Sequence, residues 1–227
     1  MAPTEAVFFD VDFTLIEPGP RFQACGYRDA CARHGVAIDV SRFEAAVAGA
    51  AGVLDAADQL YHEDLYLLYT RRIIDLMGGA SPGADRAARE LYEEWAAHEH
   101  FSLYDDVLET FRILADRGLG LGLISNSHRC LTSFQSHFAL NGLIAVAVSS
   151  PEERYMKPHP AIFRAALERM RVRADQAVMV GDSVSHDVEG ARRAGMRGVL
   201  IARGGPPAGL AADVEAIASL RELPGMI

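Results

Sequence analysis

Five short apolar runs without polar alternation recur along the chain, at residues 6–9, 119–124, 144–148, 177–180 and 198–201. A run of this length with no polar interruption fits a strand buried on both faces, as in a parallel sheet covered by helices. Between the later runs the period lengthens to that of a helix. Phe163, Ala166, Leu167 and Met170 share a helical face and follow Pro160, whose fixed φ suits a first helical position. Val188 and Ala191 mark a shorter helix, with Ser185 as its expected N-cap and Gly195 just past its end. Strand alternating with helix predicts a doubly wound α/β fold with a parallel sheet and right-handed crossovers.

More than 100 residues separate the first apolar run from the second, too many for a single crossover. No convincing strand pattern lies between residues 18 and 102. Instead Tyr61, Leu65, Leu68, Tyr69, Ile73 and Leu76 form a helical stripe that Gly78 and Gly79 end. The stripe reads as core packing of a helical subdomain over residues 18–102, inserted after the first strand into an α/β core of residues 1–17 and 103–227. A helix over 105–116, with Val107, Phe111 and Leu114 on one face and Gly118 as its stop, returns the chain to that core.

Composition narrows the class. With 227 residues, 50% of them hydrophobic, the chain can bury a core without a disulfide or metal staple. No apolar run approaches the length of a membrane span, and residues 1–5 lack the basic start and apolar stretch of a secretory signal. A cytoplasmic protein with no membrane partner is expected. The 31 acidic residues exceed the 22 basic ones, and the net charge of −9 opposes a nucleic-acid partner. Cys25, Cys31 and Cys130 are too few and too irregularly spaced for a disulfide framework or a zinc site, and read as reduced thiols. Of the 22 basic residues only Lys157 is a lysine. A compact ammonium and a rigid guanidinium fork do different work, which makes Lys157 a candidate for a specific task.

Ligands of open α/β sheets bind beyond the carboxyl ends of the strands. There the chain places Asp10-Val11-Asp12-Phe13-Thr14-Leu15, then Ser125-Asn126-Ser127, then Lys157-Pro158, then Gly181-Asp182-Ser183 with Asp187 close behind. Several carboxylates crowded at one sheet edge need a cation if all are to stay ionised. A hard divalent ion fits oxygen ligands, and magnesium suits a site with few carboxylates because it retains waters and accepts substrate oxygens. Together these groups describe a pocket for an oxyanion, with an aspartate available as nucleophile.

These four segments, in this order and at these strand ends, resemble the four motifs of the haloacid dehalogenase superfamily. The likeness spans nearly the whole chain, and the helical insertion after the first motif resembles that family's helical cap. It leans toward the phosphatase branch. Family dehalogenases act without metal and lack the second aspartate of the first motif, which is present here as Asp12. Phosphonate-cleaving relatives need a cap lysine, and residues 18–102 contain none.

The resemblance implies hydrolysis of a small phosphorylated metabolite. Asp10 would be the nucleophile, Asp12 the general acid and base, and Lys157 the neutralising cation. Ser125 and Asn126 would bind the phosphoryl group. Magnesium would be held by Asp10, the main-chain carbonyl of Asp12, and Asp182, with Asp187 behind them and Thr14 supporting the turn that aims Asp12. Many members carry glycine where this chain has Phe13, whose bulk either narrows the leaving-group pocket or packs as core, with core packing the favoured reading. A phosphomutase shares every motif. A receiver-type signalling domain or a silent interaction domain is the alternative of a different class, although no aspartate follows the second or third strand. None of the eight histidines has metal-ligand spacing with a carboxylate. Arg71 and Arg72 form a basic pair whose contact with substrate, like the oligomeric state, the sequence leaves open.

Overall fold

All four residues of the first apolar run are buried and form β1 (Ala6–Phe9). The computed structural model describes residues 2–54 and 59–227. After β1 come β2 (Ile16–Pro18), the helices α1 (Ala24–Arg33), α2 (Phe43–Ala50), α3 (Glu63–Leu76) and α4 (Ala84–Glu94), and β3 (Phe101–Leu103). The chain continues through α5 (Val107–Asp116), β4 (Gly120–Ser125), α6 (Leu131–His137), β5 (Ile144–Ser149), α7 (Ser150–Glu153) and α8 (Pro160–Met170). It ends with β6 (Ala177–Gly181), α9 (Glu189–Arg193), β7 (Arg197–Ile201) and β8 (Glu215–Ile217). Two compact units result, one running up to Glu17 and from Leu103 to Ile227, the other covering Pro18–Ser102.

In the first unit six strands form a sheet in the order β5-β4-β1-β6-β7-β8, each pair parallel. The order reverses direction at β1, so β1 lies between the β4 and β6 ends that carry the other motifs. Phe8 packs with Ile124, Val148, Ile162, Phe163 and Met179 in one apolar cluster. Phe9, one residue on and therefore on the other face of the sheet, packs with its ring centroid 4.7 Å from that of Phe111 of α5, tilted by 39°. Each large side chain buried this way stabilises the unit by roughly 1.5–3 kcal/mol. Among the described residues no helix is long and apolar enough to cross a membrane.

The turn after β1 is held from the far end of the chain. Arg203, just past β7, donates to the Thr14 carbonyl at 2.8 Å and lies 3.7 Å over the Tyr104 ring. Asp106 is buried and accepts from both terminal nitrogens of Arg203, at 2.9 and 3.0 Å. It also accepts from Ser219 Oγ at 2.7 Å and Leu220 N at 2.9 Å, and these four bonds hold its carboxyl below the usual range against the opposing effect of burial. Asp106→Ala leaves Arg203 without its counter-charge, and should cost about 3–5 kcal/mol in urea unfolding. Asp106→Asn should cost less.

The second unit is helical. Phe22, Trp95 and Phe101 meet with ring centroids 4.6–5.2 Å apart and bring its entry and exit segments together. Glu90 of α4 accepts from Arg21 and His34, each at 2.7 Å, and from Arg33. The stripe on α3 divides: Ile73 is buried, but Leu68 is 59% exposed, so the expectation of core packing fails at Leu68. Arg71 is engaged by Asp85 at 2.8 Å and by Asp75, whereas Arg72 is exposed.

Candidate active site

Asp10 stands one residue past the end of β1, 7% exposed, and its main-chain N–H continues the sheet by donating to Val180 O at 2.9 Å. The chain then turns back on itself: Leu15 N and Ile16 N donate to Val11 O, and Phe13 N donates to Ile16 O. Phe13 takes a φ of 63° in this turn and is 44% exposed, so it is not the core residue expected from the sequence. A left-handed conformation costs a non-glycine residue roughly 1–2 kcal/mol, which the surrounding turn bonds offset. Thr14 is fully buried, but its hydroxyl makes no hydrogen bond. Its support for the turn comes through its carbonyl, held by Arg203.

The lone lysine lies at the centre of the site. Lys157 is 2% exposed, and its Nζ donates to Asp10 Oδ1 at 2.5 Å and to Asp187 Oδ1 at 2.7 Å. Asp182, on the exposed lip after β6, brings a third carboxylate, so that Asp10, Asp182 and Asp187 offer oxygens within 4.8 Å of one another. One ammonium cannot balance three carboxylates. Burial, opposed by Lys157 and reinforced by Asp187 and Asp12, pushes Asp10 up to about 7. Desolvation of its carboxyl, then the charges of Asp10 and Asp187, push Asp182 upward against the opposing charge of Lys157, while Asp10 and Asp187 outweigh desolvation and raise Lys157, keeping it charged. An all-oxygen donor set with excess negative charge fits a hard divalent cation.

Local sequence explains how Asp187 arrives there. Ser183 caps the turn that precedes α9, its Oγ accepting from His186 N at 3.2 Å, and so takes the capping place expected of Ser185. The Asp187 carboxylate folds back to accept from Ser183 N at 3.0 Å. A Cβ built on Gly181 would lie 2.2 Å from Asp187 Cγ, so only glycine leaves room for that carboxylate. Gly181→Ala should cost about 1–3 kcal/mol in thermal unfolding and remove activity by displacing Asp187.

At the end of β4, Ser125 is fully buried and its Oγ accepts from Ser127 N at 3.1 Å, which leaves its own O–H to donate. Asn126 is tied to the segment that carries the lysine. Its Oδ1 accepts from Lys157 N at 2.7 Å and its Nδ2 donates to Lys157 O at 3.0 Å, so the amide fixes the lysine backbone. Asp12 does not join the carboxylate cluster through its side chain. Its Oδ1 accepts from Arg129 Nη2 at 2.9 Å, and the Arg129 side chain is completely buried. Sequence reasoning missed Arg129 because nothing sets it apart among 21 arginines. The serine spacing Ser125-x-Ser127 is the only local hint of the turn that delivers it.

A family model for haloacid dehalogenase-like hydrolases matches residues 4–195. The chain belongs to that family. A haloacid dehalogenase-like hydrolase domain-containing protein of Danio rerio is 34% identical over 119 residues, 52% of this chain and 49% of its own. The chain thus spans about half the length of that relative. The ribulose-1,5-bisphosphate 5-phosphatase of Halopiger xanaduensis is 30% identical over 86% of this chain and 83% of its own. Among solved structures, a haloacid dehalogenase-type phosphatase of Thermococcus onnurineus shares 26% identity with a TM-score of 0.68, covering 98% of this chain and 97% of its own. As a haloacid dehalogenase-like hydrolase, the protein is an enzyme with the doubly wound core its strand runs predict.

Proposed function

We propose that the protein hydrolyses a small phosphomonoester with the aid of magnesium, through a phosphorylated Asp10. One observation carries this reading: a buried lysine bridging Asp10 and Asp187, with Asp182 adding a third carboxylate within 4.8 Å. Such a cluster is built for a cation and an oxyanion together. Lys157 holds Asp10 Oδ1, so Oδ2 is the oxygen that attacks phosphorus. The new Asp10–phosphorus bond forms as the bond to the leaving oxygen breaks, and Asp12 gives that oxygen a proton. Asp12 then takes a proton from the water that attacks phosphorus, which frees phosphate and restores Asp10. Ser125 donates to a phosphoryl oxygen, and the buried Lys157 offsets the charge that builds up there.

When bound, the divalent ion adds positive charge at the phosphoryl oxygens. Asp10 and Asp182 would hold it, with the Asp12 carbonyl, while Lys157 and Ser183 N hold Asp187 back in a supporting place. The relative from Halopiger xanaduensis is named for a phosphorylated sugar, which supports a small phosphorylated metabolite as substrate. The test is a panel of phosphomonoesters followed by released phosphate, with and without magnesium, with Asp10→Asn as control. Metal-dependent release, absent in the variant, is expected.

Metal binding has its own expected signature. Asp10, raised to about 7, binds a proton more tightly in the folded chain than in the unfolded one, so the metal-free protein loses stability as pH rises from 3.8 toward 7. The cation needs the ionised form and competes with that proton. Magnesium should therefore raise Tm more at about pH 8 than at about pH 5, and Asp182→Asn should abolish the difference.

A further inference from the structure

We infer that Arg129 is a positioning residue that aims the Asp12 carboxyl, an inference that rests on the proposed role of Asp12. Asp12 has two oxygens with unequal surroundings. Oδ1 accepts from Arg129 Nη2 at 2.9 Å, whereas Oδ2 accepts no hydrogen bond from the described residues. With Oδ1 engaged by a guanidinium donor, the proton that Asp12 carries and transfers sits on Oδ2, the oxygen left free to face the leaving group. A carboxyl fixed at one oxygen presents the other in one direction, whereas an unheld carboxyl rotates and loses near-attack geometry.

The loop after β4 is shaped to deliver this arginine. Ser125 Oγ accepts from Ser127 N at 3.1 Å, and Ser127 Oγ accepts from Arg129 N at 3.2 Å, two successive side-chain turns that curl the backbone. The guanidinium ends with its side chain completely buried, while Asp12 keeps 18% exposure. Burying an arginine is costly unless it is paired, and Arg129 is paired with Asp12. Arg129 lies outside the cluster of Asp10, Asp182 and Asp187, and its Nη2 is directed to Asp12.

The leaving group tests this. Nitrophenolate departs without a proton, whereas an alkoxide needs one from Asp12. Arg129→Ala should lower kcat/KM for an alkyl phosphate by about 10²-fold, the scale of general acid catalysis, with little change for p-nitrophenyl phosphate. Inhibition by inorganic phosphate should stay unchanged, and Arg129→Lys should restore part of the alkyl phosphate rate. Equal losses on both esters, or weaker inhibition by phosphate, would assign Arg129 to phosphoryl binding and overturn the inference, as would full activity in the variant. Should Arg129→Ala not fold, Arg129→Gln carries the same comparison; if alanine, glutamine and lysine variants all unfold, the arginine is structural and the inference fails. Wild-type protein with no Asp10-dependent release from either ester would instead overturn the phosphohydrolase reading itself.

Discussion

Asp10→Asn should abolish phosphate release, by about 10⁴-fold or more, while the protein stays folded. The carboxamide keeps the shape of the side chain and still accepts from Lys157, but it is no nucleophile. Its effect on stability should run opposite to its effect on activity. In the wild type, ionising Asp10 works against burial and against Asp187 and Asp12. Asparagine avoids that cost. Metal-free Asp10→Asn should therefore melt at or above the wild type at about pH 8, with the gain shrinking as pH falls below 7 and Asp10 takes up its proton. Thermal melts at the two pH values, beside a phosphate-release assay, check both halves. A variant that lost activity by unfolding would say nothing about the nucleophile.

Lys157→Met should produce the largest loss of stability of any change at the site. Methionine fills a similar volume but leaves Asp10 and Asp187 buried without their counter-charge, at a cost of about 3–5 kcal/mol near neutral pH. The sign with pH is fixed by Asp10, whose folded value of about 7 can only rise when the ammonium goes. Below pH 7 a proton replaces the missing charge, so the deficit should narrow toward acid and widen toward alkali. Magnesium should recover part of it. Lys157→Arg should not restore activity, because a position 2% exposed that bonds two carboxylates from one nitrogen has no room for a planar fork. Urea unfolding across pH, with and without magnesium, measures each of these effects.

The strands that position the site were legible because a strand buried on both faces writes itself as an unbroken apolar run, as β1 and β6 do. The short outer strand β8 has two exposed residues and one buried one, and three residues carry no readable period. Ser183 and Ser185 are equally good caps in sequence. Only the fold shows that Ser183 lies beside the glycine whose missing side chain admits Asp187. The motif residues were legible because four strand ends bring them to one edge, and Lys157 because it has no other lysine beside it. Arg129, Asp106 and Arg203 were not legible. Each acts on the first-motif turn across at least 90 positions of sequence, and a buried ion pair leaves no local pattern in either partner. Phe13 misled because an aromatic residue beside apolar neighbours reads as core, whereas the left-handed turn that it occupies carries it outward.

The central claim is that Asp10 is the residue phosphorylated during turnover. Borohydride quenching during steady-state hydrolysis reduces an acyl phosphate to an alcohol, which would convert a phosphorylated aspartate into homoserine at that position. Peptide mapping by mass spectrometry should find homoserine at position 10, in amounts that depend on substrate and magnesium, and none in Asp10→Asn. Homoserine at position 12 or 182, or no reduced residue while phosphate is being released at full rate, would contradict the account.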